Sequence, residues 1–73
     1  MNGLALIVGA GGIGKQLAED LNSSEKELEV VLCGREKNFS SFWELDIEDN
    51  NSLVNLKNKI QDHPKKLRLV INA

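Results

Sequence analysis

Four glycines fall within six residues in Gly9-Ala10-Gly11-Gly12-Ile13-Gly14, which has the spacing G-x-G-x-x-G. Glycines so placed can expose backbone N–H groups to an anion. The first makes a tight turn, the second lets the backbone approach a pyrophosphate, and the third lets the following helix pack closely on the sheet. Free N–H groups at the helix start then face the phosphates, and the helix dipole favours their charge. A turn that binds nothing would not need four glycines, since each loses much backbone freedom on folding. Gly9, Gly11, Gly12, Ile13 and Gly14 are therefore the expected pyrophosphate loop.

A second signal lies about 20 positions on, where a carboxylate ordinarily holds the ribose 2′-hydroxyl of NAD. Here the sequence is Cys33-Gly34-Arg35. A guanidinium can grip a 2′-phosphate through paired charged hydrogen bonds and stack on adenine. Arg35 thus favours NADP(H) over NAD(H). Glu36, one residue further, could instead take the ribose hydroxyl. Lys15 reads as a solvated helix lysine. Asp46 precedes Ile47 where a strand end is expected. A carboxylate there can accept from the adenine amino group, with the Ile47 backbone completing the contact. Alternatively Asp46 or Asp49 caps the next helix, and spacing alone favours the cap. Asn72 and Ala73 follow the last apolar run, at the edge where open α/β sheets bind ligands. Asn72 could equally serve as a strand-end hydrogen-bonding residue.

The elements that must position these residues are short. The apolar run 4–8 ends at Gly9 and reads as a strand buried on both faces. A helix is expected over 12–22, with Ile13, Leu17, Ala18 and Leu21 on one face. The runs 28–33 and 42–45 read as second and third strands. Asn50-Asn51-Ser52 offers N-caps for a helix carrying Leu53, Leu56 and Ile60 inward and bounded by Pro64. The run 67–71 is the fourth strand. The order β-α-β-β-α-β implies right-handed crossovers and a parallel sheet. The expected fold is α/β: a partial Rossmann, doubly wound sheet in a single domain over 1–73, truncated after its fourth strand. No helix follows to cover that side, and the exposed last strand invites pairing with a second copy as a homo-oligomer.

Composition narrows the classes. The chain has 73 residues and a net charge of -2, with 41% apolar and 27% charged residues, so it is globular rather than disordered. One core of this size rarely supplies more than ~3–5 kcal/mol without staples. Its single cysteine, Cys33, has no internal disulfide partner, which fits a reducing, cytoplasmic compartment. Cys33 reads as a small apolar core residue. One Cys and one His, His63, do not make a structural zinc site. His63 itself reads as a solvated helix-end residue, and Phe39, Phe42 and Trp43 as core or edge-covering aromatics. Scattered lysines give no nucleic-acid footprint. No apolar run approaches a membrane span, and no positive segment precedes the apolar run 4–8 as in a signal peptide.

Together these residues resemble the N-terminal portion of the short-chain dehydrogenase/reductase family. The resemblance rests on the run 4–8 with Gly9 to Lys15, on Val31-Leu32-Cys33-Gly34-Arg35, on Leu45-Asp46-Ile47-Glu48-Asp49, and on Leu69-Val70-Ile71-Asn72-Ala73. It implies an NADP-type arginine at Arg35, adenine contacts at Asp46 and Ile47, and the start of an Asn-Ala-Gly motif beside the nicotinamide ribose. It also implies an oxidoreductase that moves a hydride between nicotinamide and a carbonyl or alcohol. Gly9 and Gly12 stand one residue closer than in the family's commonest loop, which implies a divergent member. The family's catalytic tyrosine has no counterpart, because the chain contains no tyrosine. A truncated part of a longer reductase, inactive alone, is the expectation. The alternatives are a non-catalytic nucleotide-binding or self-associating module, or the Rossmann half of another NAD(P)-dependent enzyme.

Overall fold

A computed structural model describes residues 2–73. Met1, the first residue of the expected 1–73 domain, lies outside the described residues. The chain runs β1 (Gly3–Val8), α1 (Gly12–Ser24), β2 (Leu28–Gly34), β3 (Phe42–Glu44), α2 (Asn50–Asp62) and β4 (Leu67–Asn72). The four strands form one sheet in the order β3-β2-β1-β4. Every pairing is parallel: β1 with β2 from Gly3↔Leu28 to Val8↔Cys33, β1 with β4 up to Val8↔Asn72, and β2 with β3 from Leu32↔Phe42 to Gly34↔Glu44. The chain therefore builds outward from β1 through β2 to β3, then returns to the other side of β1. All four strands end along the same edge of the sheet.

Apolar residues dominate β1 and β2 because both faces of these strands are covered, with Glu29 the one charged residue among them. Ala5 and Ile7 of β1 join Val30 and Leu32 of β2 and Ala18 of α1 in one core cluster, with Leu17, Leu21, Phe39 and Phe42 packed around it. Leu4 and Leu6 join Val31, Cys33 and Leu45 in the second, with Trp43, Leu56 and Ile60 packed against it. The alternation of strand side chains thus sends α1 and α2 to opposite faces. Leu45, expected as a strand end, lies just past β3, where its N–H still donates to the Gly34 carbonyl at 2.7 Å and its side chain buries in this second core, 5% exposed.

One apolar helix face is narrower than expected and one inward assignment needs correction. Ile13 is 75% exposed and Leu53 is 41% exposed. Each lies in the first turn of its helix. The buried face of α1 runs through Gly14 and Ala18, with Leu17 and Leu21 packed beside it, and Ile13 falls outside it. In α2 only Leu56 and Ile60 reach the core, and no residue of that helix is fully buried. β4 forms an open edge of the sheet, with Leu67 and Val70 exposed. Among the described residues, no helix is long and apolar enough to cross a membrane.

Candidate functional site

Along the carboxyl edge of the sheet lies a cleft of about 350 Å³, in the range of small-molecule sites. Val8, Gly9 and Ala10 bound it from β1, Cys33, Gly34 and Arg35 from β2, Leu45 to Glu48 from beyond β3, and Asn72 and Ala73 from β4. It gathers Gly9, Arg35, Asp46, Ile47, Asn72 and Ala73 from separate parts of the sequence. Gly11, Gly12 and Ile13 stand exposed at its margin, at the start of α1, and Gly14 is buried.

The four loop glycines divide into two kinds. A Cβ on Gly14 would collide with the carbonyl oxygen of Gly9, and Gly9 has φ +114° with its Cβ position 2.6 Å from the Ala73 carbonyl oxygen. These two are required by packing, and at Gly9 by the left-handed backbone as well. A Cβ on Gly11 or Gly12 would meet nothing within 4 Å. Gly11 is the N-cap of α1, with extended φ −73° and ψ −175°, which other residues adopt. Neither backbone geometry nor packing requires glycine at 11 and 12. What they leave is open backbone. No side chain caps α1 and its first turn has no acidic residue, so its leading N–H groups face outward.

Arg35 is exposed on the first residue after β2 and borders the cleft. Asp46 is held by its neighbours. Its N–H donates to Ser52 Oγ at 2.8 Å, and its Oδ1 accepts from the Glu48 N–H at 3.0 Å. The helix cap falls to Asp49, whose carboxylate accepts from the Asn51 N–H at 2.9 Å. Asp46 is thereby freed of the capping role that spacing favoured for one of the two. Ile47, 70% exposed, offers an apolar surface on the cleft wall. Asn72 is paired through its backbone with Val8, and its side chain is at an exposed position. Cys33 is fully buried below the cleft. Desolvation pushes its thiol up to about 11 against the pull of Lys59, so it stays protonated at neutral pH and is no nucleophile.

His63 departs from the solvated position expected of it. Its side chain is only 11% exposed. The residue caps α2 in an extended conformation before Pro64, which turns the ring back onto the sheet. Nδ1 accepts from the Lys65 N–H at 3.0 Å, and Nε2 lies 2.9 Å from Glu29 Oε2. The ring also meets Trp43 edge-on at 5.9 Å. A larger groove of about 660 Å³ runs past these residues, between β3 and α2. It meets the carboxyl end of β3 but not those of β1, β2 or β4, and within it Lys59 sits 5.8 Å over the Trp43 ring and His63 lies 2.9 Å from Glu29. Among the described residues, no group of three or more His, Cys, Asp or Glu could hold a metal ion.

Two contributors were missed by the sequence reading. Asn38 Nδ2 donates to the Ala10 carbonyl at 2.6 Å, and Ser52 orients Asp46. Both are single polar residues in runs of polar residues, with no spacing that marks them. Compared with protein-family models, curated proteins and solved structures, the chain matches none.

The steric division of the glycines can be tested. Gly14→Ala should unfold or strongly destabilise the chain in a urea titration followed by circular dichroism. Gly12→Ala should change stability by no more than about 1 kcal/mol, in either direction. Equal tolerance at both positions would remove the packing role of Gly14.

Proposed function

We propose that the chain binds the adenosine and pyrophosphate part of NADP(H), as the Rossmann-type portion of an oxidoreductase similar to the short-chain dehydrogenase/reductases. The observation that carries the reading is the place of the open glycines. They stand at the uncapped start of α1, beside a cleft at the carboxyl ends of β1 and β4. That is where the strand order reverses, the point at which open α/β sheets take their ligands.

Each residue then has a task. The N–H groups of the first α1 turn receive the pyrophosphate, and the bare backbone at Gly11 and Gly12 admits it. The Arg35 guanidinium takes the 2′-phosphate, a charged contact contributing about 1.5–3 kcal/mol. Ile47 supports the adenine face, and the Asp46 carboxylate accepts from its amino group. Asn72 and Ala73 border the side on which the rest of the dinucleotide continues. When bound, the nicotinamide would exchange a hydride with a carbonyl or alcohol substrate. The proton at the substrate oxygen is beyond this chain, which has no tyrosine. Glu48, on the cleft wall, is a second carboxylate near the Arg35 side, so the cleft carries charges of both signs.

Calorimetric titration of the purified chain with NADPH and, in parallel, NADH tests this. Saturable binding is expected, with NADPH tighter, and Arg35→Ala should weaken NADPH by about 10- to 100-fold while leaving NADH nearly unchanged. Absence of binding to either cofactor would overturn the reading for this chain, and tighter binding of NADH would overturn the role of Arg35.

A second reading, self-association, is favoured by the open β4 edge with its exposed Leu67 and Val70. Light scattering should then give twice the chain mass at high concentration, reduced by Val70→Lys. A concentration-independent monomer mass would dismiss it.

A further inference from the structure

We infer that Asn38 is a positioning residue that fixes the segment 35–37 against the glycine loop and so sets which cofactor the site prefers, an inference that rests on the NADP(H) reading above. The segment Arg35-Glu36-Lys37 carries adjacent charges of opposite sign. One of them, Arg35, suits a 2′-phosphate, and the other, Glu36, suits a 2′-hydroxyl. All three residues are exposed, so their own packing does little to decide which reaches the cleft.

Both ends of the segment are tied to one residue, Ala10. At the front end, Gly34 lies so close to Ala10 that a Cβ on Gly34 would collide with the Ala10 Cβ and stand 3.1 Å from its nitrogen. At the back end, Asn38 Nδ2 donates to the Ala10 carbonyl at 2.6 Å, across 28 positions of sequence. Phe39, the next residue, packs into the core on the α1 face and keeps Asn38 from swinging away. Three residues between two fixed points on a single partner have little freedom. The Ala10 carbonyl, which would otherwise project free from the loop, is also satisfied by this contact.

Loss of the Asn38 amide leaves the Gly34 contact and the Phe39 anchor intact but releases the segment from the Ala10 carbonyl and widens the freedom of residues 35–37. Arg35 and Glu36 then share access to the 2′ position, and the preference for phosphate falls. A tie that only stabilised the glycine loop would act differently: it would weaken both cofactors equally, because both share the pyrophosphate.

The test is a titration of wild type, Asn38→Ala and Asn38→Asp with NADPH and NADH. The aspartate variant is near-isosteric but turns an acceptor toward the Ala10 carbonyl. Asn38 is exposed, and thermal melts would confirm that both variants remain folded. We expect NADPH to weaken by about tenfold with NADH changed less than about twofold, so that the ratio of the two affinities collapses. In a double-mutant cycle, Asn38→Ala should have little further effect on NADPH once Arg35 is alanine. Equal weakening of both cofactors, an unchanged ratio, or additive effects of the two substitutions would overturn the role of Asn38 while leaving the binding reading intact. A wild-type chain without NADPH preference would overturn the reading itself, and this inference with it.

Discussion

The contact between Gly14 and the carbonyl of Gly9 is the constraint on which the rest of the structure depends. Because residue 14 has no side chain, α1 can start directly against the exit of β1. That closeness lets Ala18 reach the sheet one turn later and bury fully between β1 and β2. It also holds the first, uncapped turn of α1 directly against the exit of β1. A larger residue would lift the helix and separate the glycine loop from the cleft. One packing requirement thus serves both the core and the site.

The second constraint is the return of the chain from β3 to β4. With β1 and β2 at the centre, the two helices cover opposite faces, and residues at and after the ends of all four strands line a cleft that no single element could form. The sheet supplies position, and the residues just past each strand supply chemistry. Arg35, Asp46 and Asn72 are each within two residues of a strand's end. The ladder holds the backbone of Asn72 beside Val8, and Arg35 and Asp46 follow closely on laddered residues and border the cleft. The hydroxyl of Ser52 and the carboxylate of Asp49 then fix the turn between β3 and α2, so that Asp46 is held without being consumed by the cap.

Much of this was legible in the sequence. Apolar runs ending at glycine marked β1 and β2, because strands covered on both faces are built almost wholly of apolar residues; Glu29, near the start of β2, is the exception, half-exposed and 2.9 Å from His63. The glycine spacing marked the loop. What periodicity does not show is how narrow the buried stripe of each helix is, and Ile13 and Leu53 fall outside it although they share the apolar spacing. Long-range polar pairs were also invisible. His63 finds Glu29 across 34 positions, and Asn38 finds Ala10 across 28. Such contacts depend on the strand order, which apolar runs alone do not specify. Asp46 and Asn72 lie at the cleft because Asp46 follows β3 and Asn72 ends β4, and the sequence located those strand ends to within a residue or two.

The most direct measurement is a nitrogen-resolved NMR titration of the chain with NADPH, following each backbone amide. The expected result is perturbation concentrated at residues 9–14, at Arg35 and Asn38, at Asp46 and Ile47, and at Asn72 and Ala73. Shifts centred on Trp43, Lys59 and His63 would place the ligand in the groove between β3 and α2. That result, or no shifts at millimolar NADPH, would contradict a dinucleotide site at the carboxyl edge of the sheet.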